Sequence, residues 1–290
     1  MSHFRVFASL FAVCLMTCSF VRGDEARIKT GDKIAFLGDS ITQGGAGHPG
    51  GYVQLVGSGL AAAGVKVEII GAGISGHKSN QMLERLERDV LSKKPTWMTL
   101  SCGVNDVWHG ANGVLLDAYQ KNITEIVEKA QASGIQVMIL TSTMINEDAK
   151  NDTNQKLAPY NEFLRKLAAD KKCLLADLNA DMQAAIKPAA AGGKQVNLQL
   201  TSDGVHMGPL GDRLMARGIL KAFGLSEEQL QQANEAWLDA KTARIQGNQT
   251  LTLRQYELLS TVALGQGKTV ADLVNETVNQ SIEELLKTAP

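Results

Sequence analysis

The sequence predicts an α/β fold in which helices cover both faces of a parallel β-sheet. Short apolar runs rich in Ile, Val and Leu alternate with longer segments of helical periodicity, and five such strand–helix units follow one another. Strands that are buried on both faces, as in a parallel sheet, are continuous apolar runs in the sequence. Five consecutive units therefore indicate a doubly wound α/β sandwich with right-handed crossovers.

The predicted elements follow one another in a regular order. The strands are the apolar runs Lys33–Gly38, Val65–Gly71, Thr96–Cys102, Ile135–Thr141 and Cys173–Leu178. The helices carry apolar residues at helical spacing: Tyr52–Ala63, Asn80–Ser92, Gly113–Ala132, Asn154–Asp170 and a closing helix, Pro209–Phe223. In the second of these helices the charged residues, Arg85 among them, are predicted to lie mostly opposite the apolar face. A small, flexible loop is expected around Ala189–Gln195.

The composition excludes several classes of protein. The chain has 290 residues, with 29 basic and 30 acidic residues, and 44% of its residues are hydrophobic. A disordered chain would be poorer in apolar residues or far from neutral, and a nucleic-acid-binding protein would carry a basic excess. Four cysteines are too few for a disulfide scaffold, and Cys102 and Cys173 are predicted to be buried thiols.

The two ends of the chain are predicted to lie outside the sandwich. Residues 1–23 are typical of a signal peptide: Arg5 precedes an apolar run without charges, and cleavage is expected after Gly23. We therefore expect a secreted or periplasmic protein without a membrane span once the signal is removed, with an uncleaved anchor or a lipoprotein as alternatives. Residues 24–225 are predicted to form the α/β domain, and residues 226–290 a helical C-terminal extension that begins at a Ser226 cap.

Chemically useful residues follow the first three strands and precede the closing helix. The strands are followed by Gly38-Asp39-Ser40, by Ser75-Gly76 and by Gly103-Val104-Asn105-Asp106, and late in the chain comes Asp203-Gly204-Val205-His206. Ligands of an open parallel sheet bind at the carboxyl ends of its strands. A hydroxyl, a backbone turn, an amide and an acid–imidazole pair at that edge are the groups that acyl transfer requires.

Each group has a physical reason to be there. The hydroxyl of Ser40 needs a base to take its proton, which His206 can do, and Asp203 can hold the other ring N–H and fix the tautomer. The tetrahedral intermediate needs donors for its negative oxygen, which the N–H groups of Ser40 and Gly76 and the amide of Asn105 can supply. Asp39 is expected to be a structural hydrogen-bonding residue.

These four blocks, in this order across residues 33–223, resemble those of the GDSL/SGNH hydrolase family. The resemblance implies a three-layer α/β/α, flavodoxin-like fold with a five-stranded parallel sheet. It also implies ester hydrolysis through Ser40, His206 and Asp203, with Ser40, Gly76 and Asn105 forming the oxyanion hole. No metal and no cofactor are implied.

The favoured substrates are small or carbohydrate esters, O-acetyl groups above all. Trp108 and His109 lie beside the oxyanion asparagine and are candidate substrate-binding residues, since an indole can stack on a sugar or simply pack. The glycine-rich segment 44–51 is interpreted as a mobile substrate loop, because it lacks the Lys-Ser/Thr pair of a phosphate-binding P-loop.

Other functions are distinguishable from this one. A lipase or lysophospholipase, or a thioesterase, would share the fold and the catalytic groups. A metal-dependent phosphoesterase needs several carboxylate and imidazole ligands around two metals, and the required spacings are missing. A glycan-binding module without catalysis would have no need for an acid three residues before a histidine.

Overall fold

The computed structural model describes residues 26–186, 198–245 and 249–287 of the chain. The predicted signal peptide and the loop predicted at Ala189–Gln195 lie outside these residues. Within the described ranges, no helix is both long enough and apolar enough to cross a membrane.

A parallel sheet forms the centre of the molecule, as predicted. Its strands are β1 (Lys33–Gly38), β2 (Glu68–Gly73), β3 (Trp97–Ser101), β4 (Gln136–Leu140) and β5 (Leu174–Ala176). They are arranged in the order β2-β1-β3-β4-β5 and every neighbouring pair is parallel. This is the flavodoxin-like order, in which the chain moves outward from β1 in one direction and then in the other. The crevice that such a reversal creates lies beside the carboxyl ends of β1 and β3, where a ligand is expected.

The second strand begins three residues later than predicted. The N–H of Val65 donates to the carbonyl of Leu60 at 2.8 Å, so Val65 still belongs to the end of the preceding helix. Gly64, with φ of +83°, occupies the left-handed position that ends this helix. At the other end the strand continues to Gly73, because Gly73 pairs with Gly38.

Helices cover both faces of the sheet. They are α1 (Ser40–Gly47), α2 (Tyr52–Ala62), α3 (Ser79–Asp89), α4 (Val104–Trp108), α5 (Leu116–Ala132), α6 (Asp152–Asp170), α7 (Leu178–Ala185) and α8 (Pro209–Ala222). Short 3₁₀ turns lie at Leu91–Lys93 and Gly110–Asn112. Helices α3, α5 and α6 pack side by side in one layer, while α2 and α8 pack together in the other. The sheet between them supplies much of the hydrophobic core, including Phe36, Leu37, Met138 and Ile139.

The glycine-rich segment 44–51 was interpreted as a mobile substrate loop, but its first half, residues 44–47, belongs to helix α1, and only residues 48–51 lie outside a helix. Two of its glycines, Gly45 and Gly51, allow close packing. A Cβ on Gly45 would lie 2.4 Å from the ring of Tyr52, and a Cβ on Gly51 would lie 2.4 Å from the carbonyl oxygen of Gly45. Tyr52 is fully buried in the core, so these glycines let α1 and α2 approach one another.

Arg85 of α3 also differs from its prediction. Its neighbours Glu84, Glu87 and Arg88 are exposed as expected, but the Arg85 side chain is buried. It lies among carbonyl groups at the ends of β1 and β2, which a pattern of charged residues could not reveal.

The C-terminal extension is largely helical and its first helix joins the core. Helices α9 (Glu227–Trp237), α10 (Leu253–Gly265) and α11 (Val270–Lys287) match the predicted helical segments. Trp237 of α9 is buried against α2, and its indole Nε1–H donates to the carbonyl of Leu55 at 2.9 Å. The boundary after Leu225 stays a prediction.

An antiparallel hairpin in the extension was not predicted. Its strands are β6 (Lys241–Ile245) and β7 (Gln249–Thr252), and they precede α10. Both are short, which makes their alternating pattern hard to recognise in a sequence.

Cys102 and Cys173, the two cysteines within the described ranges, are free thiols. Cys102 follows β3 and is buried, whereas Cys173 precedes β5 and is half-buried. They therefore stand at opposite edges of the sheet, as the parallel arrangement predicted, and Cys173 is less buried than expected.

Candidate active site

Ser40 lies at a tight turn between β1 and α1. It is the first residue of the helix, and the side chain of Asp39 caps that helix by accepting the N–H of Ile41 at 2.9 Å. A Cβ on Gly38 would lie 1.9 Å from Oγ1 of Thr42, so only glycine allows the helix to fold back this closely on the strand. The N–H groups in the first turn of a helix lack acceptors within that helix. The turn therefore leaves both the hydroxyl and the N–H of Ser40 available at the edge of the sheet.

His206 and Asp203 reach Ser40 from a loop before α8. The Oγ–H of Ser40 lies 2.9 Å from Nε2 of His206, and Nδ1 of His206 lies 2.7 Å from Oδ2 of Asp203. An ionised carboxylate can only accept, so Nδ1 carries the proton and Nε2 presents its lone pair to the serine hydroxyl. The structure thus brings together the three residues that the sequence selected.

The carboxylate of Asp203 is held in its ionised form. Its other oxygen, Oδ1, accepts the N–H groups of Val205 at 3.0 Å and of His206 at 2.8 Å. Partial burial acts to raise the pKa of Asp203, but the hydrogen bonds from the His206 ring and from these two backbone groups outweigh it and lower the pKa below its ordinary value. An ionised Asp203 is what a neutral His206 needs in order to keep its proton on Nδ1.

Glu147, which sequence reasoning missed, anchors the chain that leads into this loop. Its buried carboxylate accepts three backbone N–H groups, from Gln199 at 2.5 Å, Leu200 at 2.7 Å and Thr201 at 2.6 Å. It also accepts the hydroxyl of Thr201 at 2.7 Å. Nothing in the local sequence after β4 marks this acid, because the groups that donate to it lie more than fifty residues away along the chain.

The predicted oxyanion residues come from the loops after β2 and β3. Gly76 has φ of +75°, a left-handed conformation that favours glycine, and it lies in a turn bound to α1 through the N–H of Ser75, which donates to Oε1 of Gln43 at 2.7 Å. Asn105 is 3% exposed, and its Nδ2–H donates to the carbonyl of His77 at 3.2 Å. One amide hydrogen of Asn105 is used in this bond, and the amide has a second.

His109 contacts Asn105, the predicted oxyanion residue. Its Nε2 lies 3.2 Å from Oδ1 of Asn105, which fixes the orientation of the amide so that the NH₂ group faces the His77 side. The indole of Trp108 is 48% exposed and meets the His109 ring edge to face, with 6.1 Å between the ring centroids. His109 therefore holds the amide in place, and Trp108 leaves an aromatic surface open to solvent.

Two buried acids near the site hold their protons more tightly than usual. Burial raises the pKa of Asp39 to about 6, against the hydrogen bond from Ile41 and with the nearby Asp106 adding to the effect. Burial also raises the pKa of Asp106, whose Oδ1 accepts the hydroxyl of Ser79 at 2.6 Å. Both acids belong to the scaffold beneath Ser40 and Asn105, consistent with the structural role expected of Asp39.

Among the residues that the structure describes, no group of three or more His, Cys, Asp or Glu side chains could hold a metal ion.

Known proteins resemble this chain in sequence and in fold. The model of the GDSL-like lipase/acylhydrolase family matches residues 36–214. An acetylxylan esterase from Geobacillus stearothermophilus is 26% identical over an alignment of 220 residues, and the match covers 68% of this chain and 96% of that protein. The match to the family ends within α8, so the C-terminal extension lies outside it.

Solved structures show the same arrangement. The crystal structure of an acetyl xylan esterase, AlAXEase, has a TM-score of 0.61 and a sequence 37% identical to this one. The match covers 66% of this chain and 98% of that chain. A catalytic mutant of Axe2, an acetylxylan esterase from Geobacillus stearothermophilus, is 25% identical with a TM-score of 0.61, over 69% of this chain and 97% of that one. These similarities cover nearly the full length of both known structures.

Proposed function

Because this chain belongs to the GDSL-like lipase/acylhydrolase family and is a carboxylic ester hydrolase, we propose that it removes acetyl groups from carbohydrate by a serine acyl-enzyme mechanism. The observation that carries the proposal is the pair of hydrogen bonds from Ser40 to His206, 2.9 Å, and from His206 to Asp203, 2.7 Å. This order of donor and acceptor is the one that turns a serine hydroxyl into a nucleophile.

In the acylation step, Oγ of Ser40 attacks the ester carbonyl carbon while its proton moves to Nε2 of His206. The imidazolium that forms is stabilised by Asp203, whose pKa is lowered below its ordinary value. The tetrahedral intermediate collapses as His206 returns the proton to the departing sugar oxygen, so that an alcohol leaves and an acetyl group stays on Ser40.

The negative oxygen of that intermediate receives donors from three loops. They are the backbone N–H groups of Ser40 and Gly76 and the second amide hydrogen of Asn105. His109 supports this role, because its contact with Oδ1 of Asn105 at 3.2 Å keeps the amide from turning over. Each such donor is worth about 2.7–4 kcal/mol in the barrier of a comparable reaction.

Deacylation repeats the same steps with water as the nucleophile. His206 takes a proton from the water, the hydroxide attacks the acetyl carbonyl, and the tetrahedral intermediate again uses the three donors. Collapse breaks the bond to Oγ of Ser40, which regains its proton from His206, and acetic acid leaves and then releases its own proton to the solvent. Every atom and proton is accounted for by the ester, water and these side chains.

The carbohydrate substrate is supported by two observations. Acetylxylan esterases are among the relatives that match this chain over most of their length. The exposed indole of Trp108 lies one residue from His109, which contacts the oxyanion asparagine, and an aromatic face suits the apolar face of a sugar ring.

The experiment is to incubate the protein with acetylated xylo-oligosaccharides and follow the loss of acetyl groups by mass spectrometry, together with nitrophenyl esters of increasing acyl length. We expect deacetylation of the oligosaccharides and the highest kcat/KM with the acetyl ester. A preference for acyl chains of about eight carbons or more would favour a lipase or lysophospholipase, and a preference for acyl thioesters would favour a thioesterase.

The nucleophile is tested with a serine-directed phosphonate and peptide mapping. Ser40 should be labelled in the wild-type protein, and Ser40→Ala should lose both the label and the hydrolysis. Ser133→Ala is the matched control, because Ser133 is an exposed serine at the end of α5, at the opposite edge of the sheet. An unlabelled wild-type protein would favour a binding module without catalysis.

Export belongs to the same proposal. The charged and apolar pattern of residues 1–23 supports a signal peptide, and acetylated polysaccharide is a substrate found outside cells. N-terminal sequencing of the protein from the culture medium or the periplasm should begin at Asp24. Protein retained in the membrane fraction through a lipid on Cys18 would contradict cleavage after Gly23.

A further inference from the structure

Arg85 of helix α3 is a buried cation at the edge of the sheet where the proposed catalytic groups lie. The side chain of Arg85 is 4% exposed, although the helix belongs to an outer layer of the sandwich. Removing a guanidinium from water is costly unless acceptors surround it. The buried position of the Arg85 guanidinium therefore depends on the acceptor groups that it contacts.

Four N–H donations from Arg85 connect separate parts of the site. Nη2–H donates to the carbonyl of Gly38 at 2.8 Å, and Nη1–H donates to the carbonyl of Ala72 at 2.8 Å and to Asp89 at 2.9 Å. Nε–H donates to Nδ1 of His77 at 3.2 Å. Gly38 and Ala72 lie in neighbouring strands, so one planar guanidinium group donates hydrogen bonds to both β1 and β2. A lysine, with all its donors on one atom, does not reproduce this geometry.

The contact with His77 determines the state of that ring. A guanidinium has no acceptor, so Nδ1 of His77 accepts with its lone pair, and the neutral ring carries its proton on Nε2. Burial lowers the pKa of His77, and the positive charges of Arg85, Lys78 and Arg88 lower it further, while Asp89 acts in the opposite direction. The ring is held neutral by geometry and by charge together.

The residues that Arg85 contacts are next to, or hydrogen-bonded to, the proposed oxyanion donors. His77 follows Gly76, and its carbonyl accepts the amide of Asn105 at 3.2 Å. The carbonyl of Gly38, two residues before Ser40, accepts both Arg85 and the N–H of Ile74 at 3.1 Å. Arg85 thus lies behind the three loops without being among the groups that would touch the substrate.

We propose that Arg85 is a positioning residue of this hydrolase: it holds the Ser40 turn against the Gly76–His77 loop and keeps His77 as the neutral Nε2–H tautomer. The first part rests on the proposed function, since it concerns the placement of the oxyanion donors. The second part concerns the folded protein alone and holds whether or not an ester is the substrate.

The kinetic test compares Arg85→Lys with Arg88→Lys in the full chain, using nitrophenyl acetate. Arg88 is the matched control because it lies on the same helix and also pairs with Asp89, but its side chain is 71% exposed. We expect kcat to fall about tenfold to a hundredfold in Arg85→Lys with KM within about twofold, because misplaced oxyanion donors weaken the transition state. Arg88→Lys should match the wild-type enzyme.

A second variant covers the case in which Arg85→Lys does not fold. Arg85→Ala is measured with and without added ethylguanidinium, and the added cation should raise kcat several-fold by occupying the vacated place. A kcat of Arg85→Lys equal to that of the wild type, or no response of Arg85→Ala to the cation, would overturn the positioning role.

The tautomer is measured by long-range ¹H–¹⁵N NMR spectra of the histidine rings between pH 5.5 and 8. In the wild-type chain and in Arg88→Lys, the ring of His77 should remain neutral with its proton on Nε2. In Arg85→Ala it should populate both tautomers and take up a proton at higher pH. A wild-type His77 protonated on Nδ1 would overturn the inference even if hydrolysis is normal, and absent hydrolysis with the expected spectrum would refute the proposed function alone.

Discussion

The buried acid beside the proposed nucleophile makes the stability of this protein depend on pH. The carboxyl of Asp39 is 2% exposed, and burial raises its pKa from 3.8 to about 6. A group whose pKa is higher in the folded chain binds its proton more tightly there, so the folded state loses stability as pH rises between the two values. At about 1.36 kcal/mol per pH unit, the difference corresponds to about 3 kcal/mol.

Asp39→Asn removes this dependence, because an amide does not ionise while its oxygen can still accept the N–H of Ile41. The free energy of unfolding is measured by urea denaturation from pH 3.5 to 7.5, followed by tryptophan fluorescence. Relative to the wild type, the variant should gain about 2.4 kcal/mol between pH 4 and 7, which is most of the full difference, because the unfolded acid is already partly ionised at pH 4. Asp212, whose pKa burial raises to about 7, is present in both proteins and cancels in the difference.

Asp89→Asn provides a control of opposite sign. Hydrogen bonds from Arg88, against partial burial and with the help of Arg85, lower the pKa of Asp89 to about 2. Its contribution to stability is present above the ordinary value of 3.8 and is lost as pH falls toward 2. The difference between this variant and the wild type should be flat above about pH 5. If Asp39→Asn also gave a flat difference between pH 4 and 7, the argument from burial would be refuted.

Three other substitutions test the site and its scaffold. Ser40→Ala should lower turnover of nitrophenyl acetate at least about a thousandfold without shifting the urea midpoint; retention of a tenth of the activity would exclude it as the nucleophile. Asp203→Asn should lower kcat by up to about ten thousandfold, since an amide donating to His206 favours the wrong tautomer, and an unchanged kcat would remove Asp203 from the mechanism. Gly103→Ala should destabilise the fold by about 2–4 kcal/mol in urea titrations, because Gly103 has φ of +135° and its Cβ would lie 2.2 Å from Oγ of Ser142; a variant as stable as the wild type would contradict the close contact.

The fold was predictable where a physical pattern is local. In the run Lys33–Gly38, every residue after Lys33 is apolar and buried because both faces of the sheet are covered, and this distinguishes the run from a surface strand. The carboxyl-end rule then selected Ser40 and Asn105 from many serines and asparagines in the chain. The loop before α8 could be added because an acid three residues before a histidine has a specific chemical use.

The parts that were not predicted depend on distant contacts. Arg85 resembles its exposed neighbours in sequence, and only the carbonyl groups of two strands make its burial possible. Glu147 is equally inconspicuous, because the N–H groups that it accepts belong to residues 199–201. The glycines of α1 suggested mobility, whereas Gly45 leaves room for the ring of Tyr52 on the next helix.

The hydrogen bond between Ser40 and His206 joins residues 166 positions apart in the chain. Contacts of such sequence separation form only after long loops have closed, which costs chain entropy and slows folding. A growing chain on the ribosome carries Ser40, the proposed nucleophile, long before His206, the proposed base, has been synthesised. It therefore has no complete hydrolytic apparatus until nearly the whole α/β domain has been made and folded. Under the proposed mechanism, the protein therefore gains its hydrolytic activity only when the α/β domain has finished folding.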